Sequence, residues 1–437
     1  TLIAQFKPNL RSDTESNRQA HRLIETQRLQ EKPLFAVDEL MAKFGLNSDE
    51  GIVLLSLAEA LLRIPDTNSA AALIEDKLNH LDLNLMLKSS LDSGLLSTSS
   101  VWGIAISRQL ISQHSAESVI AQLWERLGSA SILKATNFAI SQLGKQFVFS
   151  EDIQSALILR NDYDIETTAF SFDMLGEAAL CEQDVECYFN AYMEAIQSAG
   201  AQNTNDSTSI SIKLSALHPR LENQKIEDIQ KHLIHRLLLL LVTARNLDIA
   251  ITIDAEESDK LELTLLIFEQ LLRSELAIGW GKLGIAVQAY SKRALPVLRW
   301  LDLIATDTAT EIPIRLVKGA YWDAEIKSAQ QAGISGYPVY TKKAATDLSY
   351  LNCAQYLLST HCSLLTPQFA THNAQTIAYI LNIESRKPFE FQRLHGMGES
   401  LYFALQQDTK LTCRIYAPIG NQQTLLPYLV RRLLENG

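Results

Sequence analysis

Charged and polar side chains recur inside or at the ends of short apolar runs in the later part of this sequence. Asp173 and Glu177 close or follow "AFSFDML" (169–175), and Lys213 lies in "SISIKLSAL" (209–217). Asp254 and Glu256 end "IAITIDAE" (249–256), and Gln288 lies in "LGIAVQAY" (283–290). Arg315 and Lys318 lie in "IPIRLVKGA" (312–320), with Tyr321 and Trp322 just after it. His372 and Asn373 end "QFATHN" (368–373), His395 lies in "FEFQRLHGM" (389–397) and Tyr416 in "TCRIYAPI" (412–419). A last apolar stretch, 422–436, holds Tyr428, Arg431, Arg432 and Glu435. An unpaired polar group inside a buried strand costs several kcal/mol. Any one of these residues could belong to an internal ion pair, but the whole set points to a site.

Three chemistries fit such a set. A metal centre would draw on His372, His395 and Asp254, yet HxH and HExxH spacings are absent, so no metal is expected. A Schiff-base lysine in a lyase would draw on Lys213 or Lys318. A bound anionic cofactor with a small carboxylate substrate suits the residues best. Arginine forks match carboxylates, as Arg315, Arg431 and Arg432 could with Lys213 and Lys318. Aromatic side chains such as Tyr321, Trp322, Tyr416 and Tyr428 pack on flat rings. A non-catalytic regulator or scaffold, binding through a helical arm, also stays open.

The eight runs alternate with amphipathic stretches such as 228–246, 259–273, 291–304 and 347–358, and a further helix is expected over 422–436. Strand–helix alternation repeated in this way predicts an α/β fold of the (β/α)8 barrel type, whose sites lie at the C-terminal ends of the strands. A doubly wound sheet is the rival. It lacks its glycine signature, because "GYPVY" and "GMGES" do not have GxGxxG spacing. Residues 1–150 read as an all-helical domain or arm without a chemical motif, and 151–437 as the barrel. In "FGLNSDEGIVLLSLAEALLRIPD", Asn47 or Ser48 caps a helix, Glu50 adds acid to its first turn and Pro65 ends it. "ESVIAQLWERL" and "LKATNFAISQL" keep a helical apolar period.

Composition narrows the classes. The 437 residues are 47% hydrophobic and 20% charged, a globular balance, and the net charge of −11 argues against a general nucleic-acid binder. The longest apolar run, 51–64, carries Glu59 and Arg63 and is too short for a bilayer. No signal peptide or lipidation motif is visible, which suggests a cytoplasmic protein. The five cysteines lack CxxC spacing and read as buried thiols in a reducing compartment. A first residue Thr1 suggests a processed or excised chain.

Longer motifs carry a resemblance. "SIKLSALHPR" (211–220), "IDAEE" (253–257), "IRLVKGAYWDAEI" (314–326), "GYPVYTKK" (336–343), "FATHN" (369–373), "LHGMGE" (394–399), "CRIYAPIG" (413–420) and "LLPYLVRRLLENG" (425–437) resemble the proline dehydrogenase domain of the bacterial bifunctional proline utilization A flavoenzymes. "GLNSDEGIVLLSLAEALLRIPD" (45–66) is similar to the helical segment before that barrel. The resemblance implies a distorted (β/α)8 barrel with FAD bound noncovalently at the strand C-termini. It implies oxidation of L-proline to Δ1-pyrroline-5-carboxylate, the first step of proline catabolism to glutamate. Hydride would pass from proline C5 to flavin N5, and electrons onward to a membrane quinone, with the protein peripheral to the inner membrane at that step.

Site roles follow from the same motifs. Lys213, Arg431 and Arg432 would hold the proline carboxylate, Asp254 would balance the cations, and Glu177 would pair with Arg431 as a gate. Tyr416, Tyr428 and Leu316 would shape the slot, with Tyr321 between ring and flavin. Gln288 and Arg315 would contact the isoalloxazine, continued by Val317, Lys318, Gly319 and Trp322. Thr341, Lys343, His372 and Asn373 would take the ribityl, pyrophosphate and adenosine parts, and Glu435 a flavin-side hydroxyl. The family's long form also carries a ribbon-helix-helix DNA-binding domain and an aldehyde dehydrogenase domain. Neither is recognised here, so nucleic-acid binding and NAD-linked oxidation are expected to be absent from this chain.

Overall fold

The computed structural model describes residues 13–29, 147–164, 166–176, 178–202, 208–385 and 387–420. Two compact units divide the chain: Thr1–Gln30 with Val148–Asn421, and Glu31–Phe147 with Gln422–Gly437. The expected helices of residues 31–146 and 422–436 lie outside the described residues. So do Glu177, Tyr428, Arg431, Arg432 and Glu435.

All eight runs read as strands form strands. They are β1 (Thr168–Met174), β2 (Thr208–Ile212), β3 (Ala250–Ile253), β4 (Leu283–Gln288), β5 (Ile312–Val317), β6 (Leu365–Ala370), β7 (Glu390–Leu394) and β8 (Cys413–Ile419). Each pairs in parallel with the next, and β8 pairs with β1, so the sheet closes into a barrel. Closure leaves no strand edge unpaired.

The helices are α1 (Asp13–Leu29), α2 (Ile153–Leu159), α3 (Glu182–Ala201), α4 (Ile226–Leu247), α5 (Leu261–Leu272), α6 (Ala294–Thr308), α7 (Trp322–Gln331), α8 (Lys343–Leu357), α9 (Ala374–Leu381) and α10 (Glu399–Asp408). In α4 the buried residues Ile229, Leu233, Leu237, Leu240, Leu241 and Ala244 recur every three or four positions, a single stripe toward the strands. The helix stops at Asp248, which takes a left-handed turn and leads straight into β3. Helix α1 packs on α9 and α10, and Gln19 accepts a hydrogen bond from Asn382 at 2.8 Å.

Register shows what faces where. Ser171 pairs laterally with Ser209 and Tyr416, Asp173 with Ser211, and Ala286 with Arg315. Gln392 pairs with Arg414, and Leu394 with Tyr416. Parallel neighbours share a face, and strand residues alternate between faces. The polar members therefore line the barrel interior. The alternate set, including Phe170, Phe172, Ile210, Ile253, Leu316 and Phe369, is buried between strands and helices. Barrel interiors of this class are commonly filled with branched apolar side chains; this one is polar.

One expectation is revised here. Cys353, Cys362 and Cys413 are buried, but Cys181 and Cys187 of the α3 region are exposed, and all five are free thiols. Among the described residues no helix is long and apolar enough to cross a membrane.

Candidate active site

The C-terminal ends of β1, β2, β3, β5 and β8 bring five ionisable or phenolic groups together. Lys213, just past β2, donates to both carboxylate oxygens of Asp173 at 2.8 Å. Its Nζ also lies 3.4 Å from the Tyr416 hydroxyl and 3.7 Å from Asp254 Oδ2. Asp254 accepts from Arg315 Nη1 at 2.5 Å and from the Tyr416 hydroxyl at 2.7 Å. The Arg315 guanidinium lies over the Tyr416 ring, 5.1 Å from its centroid. Asp173 is fully buried, and Lys213, Asp254 and Arg315 nearly so. Charges of this kind survive burial only when paired. Two cations face two carboxylates, so this cluster is electrically balanced.

Arg315 is held on every side. Its Nε donates to Gln392 Oε1 at 2.9 Å, Nη1 to Ser211 Oγ at 2.9 Å and Nη2 to Ser171 Oγ at 2.7 Å. With the bond to Asp254 these take four of the five N–H groups of a guanidinium. Among the described residues, a single hydrogen on Nη2 is left over.

The β4 and β5 loops build one wall of the mouth. Gln288 donates from Nε2 to the Glu256 carbonyl at 2.8 Å and accepts from the Ala320 N–H at 3.3 Å. It thus ties the loop after β3 to the loop after β5. Gly319 has φ +138°, and a Cβ there would lie 2.5 Å from the Tyr290 ring, so only glycine lets this loop fold over Tyr290. Tyr321 precedes α7, and Trp322 begins it, half-exposed, with its indole donating to the Tyr340 carbonyl at 2.9 Å. Val317 is half-buried at the end of β5. Lys318 pairs with Asp347 of α8. Glu325 of α7 is buried and accepts from the Ser258 N–H at 2.6 Å and from its hydroxyl. Glu256 is also buried and accepts from the Ser215 N–H at 3.0 Å; burial pushes its carboxyl pKa up against that bond.

The remaining expected positions stand on the adjoining rim. Thr341 and Lys343 are exposed at the start of α8. His372 Nε2 accepts from the Leu394 N–H at 3.1 Å. Asn373 caps α9, its side chain accepting from Thr376 N–H at 2.9 Å. His395 packs edge-on against Phe149 at 5.1 Å, and its buried Nδ1 has no hydrogen-bond partner among the described residues. Burial, helped by the Arg393 charge, pushes its pKa down to about 4.

One expected residue is misplaced. Leu316 alternates with Arg315 along β5 and lies fully buried in the apolar layer outside the barrel, so it cannot shape a slot on the inner face. Register puts Leu394 beside Tyr416 on the inner face instead. Ser171, Ser211 and Gln392 were missed, and Asp173 was noticed without a role. The available signal was the alternation in "FSFDM", "SISIK" and "EFQRL", which puts each of them on the same face as a charged neighbour two residues away.

The arrangement belongs to a known class. A family profile described as "Proline dehydrogenase" matches residues 160–437, and the chain belongs to that family. It is 43% identical over 417 residues to the bifunctional protein PutA of Escherichia coli (strain K12), covering 92% of this chain and 31% of that protein. It is 27% identical over 297 residues to proline dehydrogenase 1 of Bacillus subtilis (strain 168), covering 67% of this chain and 86% of that protein. Among solved structures, a variant of Bradyrhizobium japonicum proline utilization A matches with a TM-score of 0.72 and 42% identity, over 100% of this chain and 44% of that one. The chain thus spans about a third of the length of the PutA relatives it matches. A second profile, described as "DNA-binding domain of Proline dehydrogenase", matches residues 36–147. This match runs against the expectation that no DNA-binding part is present, and it falls on the stretch read above as a helical arm without chemistry.

Proposed function

We propose that this chain oxidises L-proline to Δ1-pyrroline-5-carboxylate with bound FAD and passes the electrons to a membrane quinone. The observation that carries the reading is the convergence of Lys213, Asp254, Arg315 and Tyr416 at the barrel mouth, in a chain of the proline dehydrogenase family. FAD would supply the hydride acceptor.

The residues present suit a flat, anionic cofactor. Arg315 offers a cation with one N–H left over, and Gly319 gives the loop after β5 a close-packed, smooth wall. Lys318, Val317, Tyr321 and Trp322 extend that wall. Thr341 and Lys343 would add a hydroxyl and a cation from the start of α8, and His372 and Asn373 further polar groups from the loop after β6. Gln288 contributes by tying two loops together, since both ends of its amide are engaged there.

A proline carboxylate entering the balanced cluster needs further cations to offset its desolvation. By the family resemblance, Arg431 and Arg432 would supply them together with Lys213, and Glu177 would be the gate partner of Arg431. By the same resemblance, Tyr416 and Tyr428 would flank the pyrrolidine ring, and Glu435 would bond a cofactor hydroxyl. Asp254 keeps Arg315 and Tyr416 in place, so the substrate meets a preorganised surface. We assign the barrel function to residues 151–437, to which α1 (Asp13–Leu29) is joined by its packing on α9 and α10. The lyase alternative requires an unencumbered lysine amine, whereas Lys213 is gripped by both oxygens of Asp173.

The test is a visible spectrum of the purified chain. A flavin band near ~450 nm, a property of the cofactor, that bleaches anaerobically with L-proline is expected. A colourless protein, or one trapped by borohydride with a carbonyl substrate, would refute the reading.

A further inference from the structure

Below the mouth lies a second layer of charge that the proposed reaction does not touch. Arg414 of β8 grips Glu390 of β7 through Nε at 2.6 Å and Nη2 at 3.0 Å. Its Nη1 donates to the Phe170 carbonyl at 3.0 Å and the Ser209 hydroxyl at 3.4 Å. Glu390 Oε1 also accepts from Gln392 Nε2 at 2.9 Å. The other end of that amide, Oε1, accepts from Arg315 Nε at 2.9 Å. Gln392 is 1% exposed, so water does not compete for either bond.

These contacts fix the amide's orientation. Turned over, its NH2 would face the Arg315 N–H and its carbonyl would face the Glu390 carboxylate, two repulsive contacts in a low-dielectric interior. Glu390, held by Arg414, therefore dictates that Gln392 presents an acceptor to Arg315. Ser171 and Ser211 offer two more acceptors, themselves 3.0 Å apart. Without Gln392 the Nε–H loses its acceptor, and the guanidinium, already bonded to Asp254 at 2.5 Å, is no longer fixed in orientation about that bond.

We infer that Gln392, locked by the Glu390–Arg414 pair and assisted by Ser171 and Ser211, is a positioning residue that holds Arg315 for the flavin and thereby sets the flavin's reduction potential. This rests on the flavoenzyme reading above. A cation fixed beside a cofactor that gains negative charge on reduction favours the reduced state, and a preorganised one does so without reorganisation.

The experiment is spectroelectrochemistry on the flavin-loaded full chain. Gln392→Met keeps the volume and deletes the acceptor. It is expected to shift the oxidised-to-reduced equilibrium at least tenfold toward the oxidised form, about 30 mV for a two-electron couple. In an Arg315→Met background the same change is expected to add nothing, because the residue acts through Arg315. A merely structural role would give the same shift in both backgrounds and overturn the inference, as would an unchanged potential in Gln392→Met. Should Gln392→Met fail to fold, Ser171→Ala removes the Nη2 acceptor and is expected to shift the potential in the same direction. No shift there also overturns it. A wild-type chain without flavin overturns this inference together with its premise; a wild-type chain bleached by proline, with unshifted variants, overturns this inference alone.

Discussion

Asp173→Asn separates what Asp173 does for the fold from what it does to the site. Asp173 is completely buried and holds Lys213 with both oxygens at 2.8 Å. Removing one partner of a buried pair costs roughly 3–5 kcal/mol. Here the loss is smaller, because asparagine keeps one acceptor and Lys213 has Asp254 Oδ2 at 3.7 Å and the Tyr416 hydroxyl at 3.4 Å to turn toward. We expect a destabilisation of about 2–3 kcal/mol, or a fall in Tm of about 3–5 °C for a unit of this size. Binding should move the other way. The site gains one net positive charge, and at about 6 Å with an effective dielectric of about 20 a carboxylate gains up to roughly 3 kcal/mol. With Lys213 partly re-paired to Asp254, a gain of about 1 kcal/mol remains, near fivefold in Kd. The assay is a thermal melt together with a titration by cyclopentanecarboxylate, a proline-sized acid without the reactive amine. A melting point within a degree of wild type together with an unchanged Kd would show that the pair does not hold Lys213, and the argument would fail.

Other outcomes are expected. Arg432→Met is expected to raise the KM for proline at least tenfold while flavin stays bound, since a charge-assisted contact is worth roughly 1.5–3 kcal/mol; an unchanged KM in steady-state kinetics would mean the carboxylate grip is misassigned. Gly319→Ala pushes a methyl to within 2.5 Å of the Tyr290 ring at a φ of +138°; equilibrium dialysis should show weakened flavin binding, and wild-type affinity would refute the close-packed wall. His395 has a folded pKa of about 4, below its unfolded value of ~6.5. Above pH ~6.5 both states are neutral, but as pH falls toward 4 the unfolded chain takes a proton that the folded one refuses, and stability drops. His395→Leu should therefore lose about 2–3 kcal/mol less than wild type between pH 7 and 4.5 in urea melts, and parallel pH profiles would show that His395 is not the group responsible.

The fold was legible because a closed parallel barrel writes itself locally. Each strand is a short β-branched or aromatic run, each is followed by a helical period, and nothing about pairing partners is needed to count eight of them. The mouth was legible for the same reason, since a lysine or arginine inside such a run is conspicuous wherever it falls. What could not be read is whatever depends on register. Leu316 shares a motif with Arg315 and so seemed to share its site, yet one residue along a strand is the difference between lumen and outer core. Ser171, Ser211 and Gln392 look unremarkable in sequence, and become significant only when β1, β2 and β7 bring them around Arg315. The polar interior makes this more than bookkeeping. Because the lumen holds ion pairs and hydroxyls, which contribute little net stability, the barrel depends on its outer layer, where Phe170, Phe172, Ile210, Leu316 and Phe369 meet the helices. The inner face is thereby released from the task of filling space. It can hold a guanidinium at the barrel's centre from four directions, an arrangement that an apolar core would exclude.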